Sequence, residues 1–193
     1  MSTKAIIFDC YGVLYVDSHR SLKQEYPDLA QDIADLSQQS DYGWIDREQY
    51  LEELSRLTGE STSFITEFIL TEHHLNKALV ATIAELKTQY KIGMVSNVGR
   101  GWLEDFFTQH NLRHLFNVIV LSGEEGITKP NPDIFTLAAE RLGVETGECI
   151  MIDDIQDNCN GADAAGMRSV HYRSNTQLTS DLQALLESDT QTM

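Results

Sequence analysis

Residues Lys4–Tyr15, KAIIFDCYGVLY, carry the first decision about the fold. Ala5-Ile6-Ile7-Phe8 is a short unbroken apolar run, the pattern of a strand buried on both faces. Asp9 follows at the end of the run, and Gly12 comes three residues later. In an open α/β sheet, ligands lie beyond the carboxyl ends of the strands, so Asp9 stands where chemistry is done. Alone, the stretch fits an aspartate opening a turn just as well. The rest of the chain decides between the two.

Working outward, the pattern changes at once. From about Asp17 to Asn76 no strand-like run occurs, only helical periodicity. Leu29, Ile33 and Leu36 follow Pro27, which suits a helix's first turn. Tyr50, Leu51, Leu54 and Leu57 lie between the capping pair Asp46/Gln49 and a terminating Gly59. Phe64, Ile65, Phe68 and Ile69 follow Ser61. Three short helices here predict a helical insertion above the carboxyl edge of the sheet, where a lid belongs. Within it, Tyr42 and Trp44 read as packing residues and His73-His74 as hinge or surface residues.

Alternation of strand and helix then resumes. Lys91–Val95, Val118–Leu121, Cys149–Ile152 and Ser169–Tyr172 are expected strands. They are separated by helices at about 79–86, 103–109, 132–142 and 155–165. A last helix is expected near 179–187, and the tail SDTQTM is expected to fray. Five strands joined by helices require right-handed crossovers into an α/β fold, a doubly wound, parallel, Rossmann-like sheet. The expected division is a core of residues 1–16 and 77–193 with a helical cap at 17–76.

The composition narrows the partners. With 193 residues the chain suits one domain, or one domain carrying a smaller insertion. Thirty Asp+Glu against 14 Lys+Arg give a net charge of −16, which argues against nucleic acid or an anionic membrane as partner. Cys10, Cys149 and Cys159 are odd in number and lack CxxC spacing, so reduced thiols in a cytoplasmic protein are expected. No apolar run approaches the ~20 residues needed to cross a bilayer. Oligomeric state is not encoded in any of these patterns.

Each strand end carries its own chemistry. The first gives Asp9, the second Ser96 and Asn97, the loop after the third Lys129, and the fourth Asp153 and Asp154. Converging carboxylates repel and push one another's pKa upward. A hard divalent cation relieves this, and Mg²⁺ takes one or two carboxylates plus waters and a phosphate oxygen. The Ser96 hydroxyl, the Asn97 amide and backbone N–H groups are donors for phosphate oxygens, and Lys129 adds a positive charge. For Ser96, capping the next helix is an alternative role.

In this order, IFDCYGVLY, VSNVGR, GITKPNPDIF and MIDDIQDNCNGADAAGM resemble the motifs of the haloacid dehalogenase-like (HAD) hydrolase superfamily, over nearly the whole chain. The insertion resembles that superfamily's small α-helical cap, and the fourth motif resembles a sugar-phosphatase branch with FDDxxxN. The resemblance implies a Mg²⁺-dependent hydrolase of a small phosphorylated metabolite. Asp9 would be the nucleophile, forming an aspartyl phosphate, with Ser96 and Lys129 holding the phosphate. It implies Mg²⁺ on Asp9, the Tyr11 carbonyl and Asp154, with Asp153 close by or acting through water.

The chain departs from the superfamily at Tyr11, where its phosphatases usually carry an aspartate as general acid and base. A phenol with a pKa of about 10 can donate a proton but is a poor base at neutral pH, so Tyr11 is either a proton donor or a pocket wall. D-x-Y-G is similar to the metal-free 2-haloacid dehalogenases, where halide leaves without a proton. A HAD-fold protein that binds ligand without turnover is the third alternative. Asn158 stands where many relatives place another aspartate, for which Asp157 is a possible substitute.

Overall fold

The run Ala5–Phe8 forms strand β1 with all four side chains buried. This computed structural model describes residues 2–17 and 22–190; residues 18–21 of the expected cap and 191–193 of the expected frayed tail lie outside them. After β1 come β2 (Tyr15–Asp17), α1 (Leu22–Glu25), α2 (Ala30–Asp41), α3 (Arg47–Thr58), α4 (Thr62–Glu72) and β3 (His73–Leu75). The chain continues through α5 (Lys77–Leu86), β4 (Lys91–Ser96), α6 (Leu103–His110), β5 (Val118–Leu121), α7 (Ser122–Glu125) and α8 (Pro132–Leu142). It ends with β6 (Cys149–Asp153), α9 (Gln156–Ala164), β7 (Arg168–His171) and α10 (Asn175–Thr190).

The five-stranded sheet is wholly parallel, in the order β5-β4-β1-β6-β7. From β1 the chain builds outward on one side through β4 and β5, then crosses over to β6 and β7. The order therefore reverses at β1, the position where doubly wound sheets open a crevice at their carboxyl edge.

Successive side chains of a strand point to opposite faces, and both faces here are covered by helices. Ile6, Phe8, Ile92, Met94, Ile150 and Ile152 enter one apolar cluster with Leu79 and Ile83 of α5 and Leu178 and Leu182 of α10. Ala5, Ile7, Val95 and Met151 enter another, against Ile134, Phe135 and Ala138 of α8. The first cluster runs on without a break into Ile33, Leu36, Tyr50, Leu54 and Ile65, so the helices between β2 and β3 share the sheet's core. Cys10 is buried in that cluster as expected from strand alternation.

Local signals placed the helix ends well. Asp46 and Gln49 form a reciprocal capping box on α3, and Gly59 closes it at φ 78°. Nonlocal features differ from expectation. His73 and His74 lie in β3, which pairs antiparallel with β2 (Tyr15↔Leu75, Val16↔His74, Asp17↔His73). Strands of three residues are too short to show a period, and their pairing spans the whole helical segment. The last helix starts at Asn175, where the Ser174 hydroxyl accepts from Gln177 N at 3.2 Å. It continues to Thr190 instead of fraying from Ser188. Asp189 accepts from Thr3 N at 2.8 Å and from Arg168 at 3.0 Å, which ties the last turn to the edge of the sheet. No helix among the described residues is long and apolar enough to cross a membrane.

Gly161 of α9 lies against the loop that carries Lys129, and a Cβ there would overlap the Pro130 carbonyl. Gly→Ala in an exposed helix interior stabilises by up to ~1 kcal/mol. Here the same change should destabilise by about 1–3 kcal/mol through overpacking. A lower urea midpoint for Gly161→Ala at unchanged m-value is expected, whereas a raised midpoint would show that the loop withdraws freely.

Candidate active site

The carboxyl ends of β4, β1 and β6 and the loop before α8 bring Ser96, Asp9, Asp153 and Lys129 together, all four buried. The Lys129 ammonium lies 2.8 Å from Asp9 Oδ1 and 2.6 Å from Asp153 Oδ2. Asp9 Oδ1 also accepts the Cys10 N–H at 2.6 Å, so both donors land on one oxygen and Oδ2 is clear of them. Burial pushes the Asp9 carboxyl up to about 6; Lys129 pulls it down, and the charge of Asp153 pushes it further up. Burial alone would lower the Lys129 pKa, but the two carboxylates outweigh it, and the ammonium is held charged.

Asp153 is no solvated loop carboxylate. Its Oδ1 accepts from Ile155 N and Asn158 Nδ2, both at 2.9 Å, and its Oδ2 from Lys129. With donors on both oxygens it positions Lys129. Asn158 thus has a structural partner of its own, while Asp157 is exposed and substitutes for nothing at the site.

Asp154 differs. Gly12, at φ +85°, lies so close to the Asp154 carboxylate that any Cβ would overlap it. The left-handed backbone and the close approach both require glycine. Asp9, Asp153 and Asp154 offer carboxylate oxygens within 4.8 Å of one another. Burial, then the charge of Asp153, raises the Asp154 pKa. Among the described residues, the buried side-chain N or O atoms without a partner are Asp154 Oδ1 and Ser96 Oγ. One can only accept and the other can donate.

Ser96 caps no helix, contrary to the alternative above, because α6 starts only at Leu103. Asn97 is tied to the loop of Lys129. Its Oδ1 accepts from Lys129 N at 2.8 Å and its Nδ2 donates to Lys129 O at 3.0 Å. The amide thus holds the lysine's backbone with its oxygen and one of its two N–H donors, and it lines the cavity.

Of these groups, Asp9, Ser96, Asn97, Lys129 and Asn158 form the floor of a cavity of about 490 Å³. Its walls include Tyr11 and Trp102 from the sheet side, and Ile33, Asp41, Tyr50 and Phe68 from the helices between β2 and β3. Burial, then neighbouring Cys10, Tyr15, Asp41 and Asp9, holds the Tyr11 phenol well above its usual pKa, so it stays protonated at neutral pH. Trp44 is 68% exposed and stacks on Tyr42 at 5.0 Å, away from the cavity. The aromatic wall is instead Tyr50 packed edge-on against Trp102 at 5.8 Å. Sequence reasoning did not single out Asp41, Tyr50 and Trp102 for the site; Tyr50 was read only as a helix-face residue.

The sequence profile of the haloacid dehalogenase-like hydrolases matches residues 3–166. The chain is 34% identical over 99 residues to the glyceraldehyde 3-phosphate phosphatase of Methanopyrus kandleri, a match covering 49% of this chain and 42% of that protein. It thus spans less than half the length of that curated relative. A HAD family enzyme from Bacteroides thetaiotaomicron, solved in complex with magnesium and inorganic phosphate, superposes with a TM-score of 0.75 at 20% identity, covering 90% of this chain and 96% of that one. The L-2-haloacid dehalogenase of Xanthobacter autotrophicus, solved with chloropropionic acid covalently bound, superposes with a TM-score of 0.64 at 21% identity, covering 94% and 83%. Both likenesses show the fold.

Replacing Lys129 by Met leaves Asp9 and Asp153 buried without their counter-charge, which should cost about 3–5 kcal/mol at neutral pH. The lost ammonium raises the folded-state pKa of Asp9 further above its unfolded value. The deficit is therefore largest above about pH 6, where Asp9 titrates, and shrinks as acid protonates it. Urea unfolding of Lys129→Met and wild type in EDTA at pH 7.5 and pH 5 tests this. A deficit unchanged by acid would assign the loss to packing.

Proposed function

The chain belongs to the haloacid dehalogenase-like hydrolases, and from that membership we propose a Mg²⁺-dependent phosphatase of a small phosphorylated metabolite that works through an aspartyl phosphate on Asp9. The observation that carries this is the pair of orphaned buried atoms. Ser96 Oγ lacks an acceptor such as a phosphate oxygen supplies, and Asp154 Oδ1 lacks a positive partner such as a cation supplies. Three carboxylates facing one ammonium leave a local charge that a divalent ion offsets.

The donor set fits Mg²⁺: hard oxygens, with one carboxylate oxygen open and room for waters and phosphate. Asp9, Asp154 and the Tyr11 carbonyl would hold the ion, with Asp153 near it but engaged by Lys129. When bound, the ion offsets negative charge on the transferring phosphoryl group. Lys129 neutralises Asp9 and orients it, and Asp9 Oδ2 is the oxygen available for in-line attack on phosphorus. Ser96 Oγ and nearby backbone N–H groups bind the phosphoryl oxygens as charge develops on them. Release of the leaving group and attack by water on the acyl phosphate complete the cycle.

Residues 17–76 act as a cap over this edge, and 1–16 with 77–193 as the core. The substrate is a sugar phosphate or similar small phosphate ester, in keeping with a cavity of this size and with the phosphatase relative. The three cysteines are buried free thiols, which suits a cytoplasmic setting.

A second assignment, the metal-free dehalogenase, is favoured by Tyr11 and by the shared fold, and opposed by the unpartnered Asp154 Oδ1. Phosphate release from p-nitrophenyl phosphate should require Mg²⁺, stop with EDTA and vanish in Asp9→Asn, with circular dichroism unchanged. Halide release from a 2-haloacid that ignores EDTA would replace the phosphatase with the dehalogenase. Binding of phosphate and Mg²⁺ without turnover of either substrate would identify a binding protein.

A further inference from the structure

A phosphatase cycle needs a proton donor for the leaving oxygen and a base for the attacking water. Tyr11 stands in the usual place for that group but remains protonated, so it is no base. Among the described residues lining the cavity, the carboxylates are Asp9 and Asp41. Asp9 is committed to attack. Asp41 is the last residue of α2, half-buried, and its carboxylate takes no hydrogen bond and no ion pair among the described residues.

Its position is nevertheless fixed. Ser40 fills the space over Gly99, where any Cβ would overlap its hydroxyl, and Gly43 lies against the Gly123 carbonyl with no room for a Cβ. Arg100 Nε donates to that same carbonyl at 2.7 Å, and Arg47 stacks over Trp102 at 4.5 Å. The turn carrying Asp41 is thus clamped by close contacts to the loops after β4 and β5, while the carboxylate itself stays uncommitted over the cavity.

Building on the phosphatase function proposed above, we infer that Asp41 is the proton-transfer residue of this site, reached from the helical insertion and not from the loop after β1. In the first half-reaction the Asp9 Oδ2–P bond forms, the P–O bond to the leaving group breaks, and Asp41 as the neutral acid gives its proton to the departing oxygen. In the second, ionised Asp41 takes a proton from water as that water attacks phosphorus. The Asp9–P bond then breaks, phosphate leaves and Asp41 is neutral again.

Among the described residues, the charged and titratable groups around Asp41 are Lys129, Lys23 of α1, Tyr11 and Tyr50 of α3. Burial pushes its carboxyl up to about 6, against the pull of Lys129 and Lys23. That value serves both protonation states near neutrality.

The test uses p-nitrophenyl phosphate, whose leaving group needs no proton, so hydrolysis of the acyl phosphate limits turnover. For wild type with Mg²⁺, kcat should rise with pH through about 6, as Asp41 ionises. Asp41→Asn should lower kcat by about 10²- to 10³-fold and lose that limb. It should also release a burst of roughly one p-nitrophenol per site before slow turnover, the mark of an accumulating phosphoenzyme. Ionisation of Asp9 appears in the burst rate and that of Asp41 in the steady state, so the two are read separately. Inhibition by inorganic phosphate should be unchanged, showing an intact site, and Asp41→Glu should restore part of kcat. If Asp41→Asn keeps kcat and only raises KM, or shows no burst, Asp41 is a binding residue and the inference is overturned. A wild type that releases no phosphate instead removes the phosphatase function itself.

Discussion

Everything at the carboxyl edge of this sheet depends on one buried ammonium shared by two carboxylates, Lys129 between Asp9 and Asp153. Moving such charges out of water is costly, and their attraction offsets that only with close geometry and additional hydrogen bonds. The triad has both. Asp153 takes the Ile155 N–H and the Asn158 amide, Asp9 takes the Cys10 N–H, and the lysine's own backbone is gripped by Asn97. The partners come from β1, β6 and a loop that follows β5. They meet because β1 lies between β4 and β6 and the chain reverses its direction of sheet building there.

The same arithmetic explains why the site is incomplete without a ligand. Three clustered carboxylates face one ammonium, and the excess falls on Asp154, packed against Gly12 with a buried oxygen that takes no hydrogen bond. Two carboxylates alone would have been balanced well enough by the lysine. The third makes sense as the open half of a cation site, and the unused Ser96 hydroxyl as the open half of an anion site. A metal–phosphate pair satisfies both at once.

What the sequence made legible follows from range. β1 was readable to the residue, and the five strands to within a residue or two, because an apolar run between polar clusters is a local pattern. The α3 capping box was equally local. Asp9, Ser96, Lys129, Asp153 and Asp154 were legible because strand ends in such a sheet converge, so order along the chain gives position in space. Side-chain direction was not legible. Asn97 sits where a donor was expected and also grips the Lys129 backbone, and Asp153 spends both oxygens inside the protein. The β2–β3 ribbon was hidden because its strands are three residues long and pair across tens of residues; the insertion's wall residues lay on periodic helix faces, but periodicity does not say which of them meet the cavity.

The arrangement also separates chemistry from selection. The charged floor belongs to the sheet, and its members are fixed by one another. The insertion reaches the sheet through contacts of a different kind, Ser40 on Gly99 and Gly43 on the Gly123 carbonyl, where backbone and hydroxyl meet and no added side chain fits. Between the two, Ile33, Phe68 and Ile69 line the cavity. Exchanging one of these for another apolar residue reshapes the space above the phosphate while leaving the ion triad and the seat of Asp41 intact. The leaving group can therefore change without disturbing the phosphoryl site, which is how one fold serves many substrates. The proton-transfer residue inferred above, Asp41, sits on the insertion's side of that division, so under that inference the insertion both shapes the cavity and takes part in the reaction.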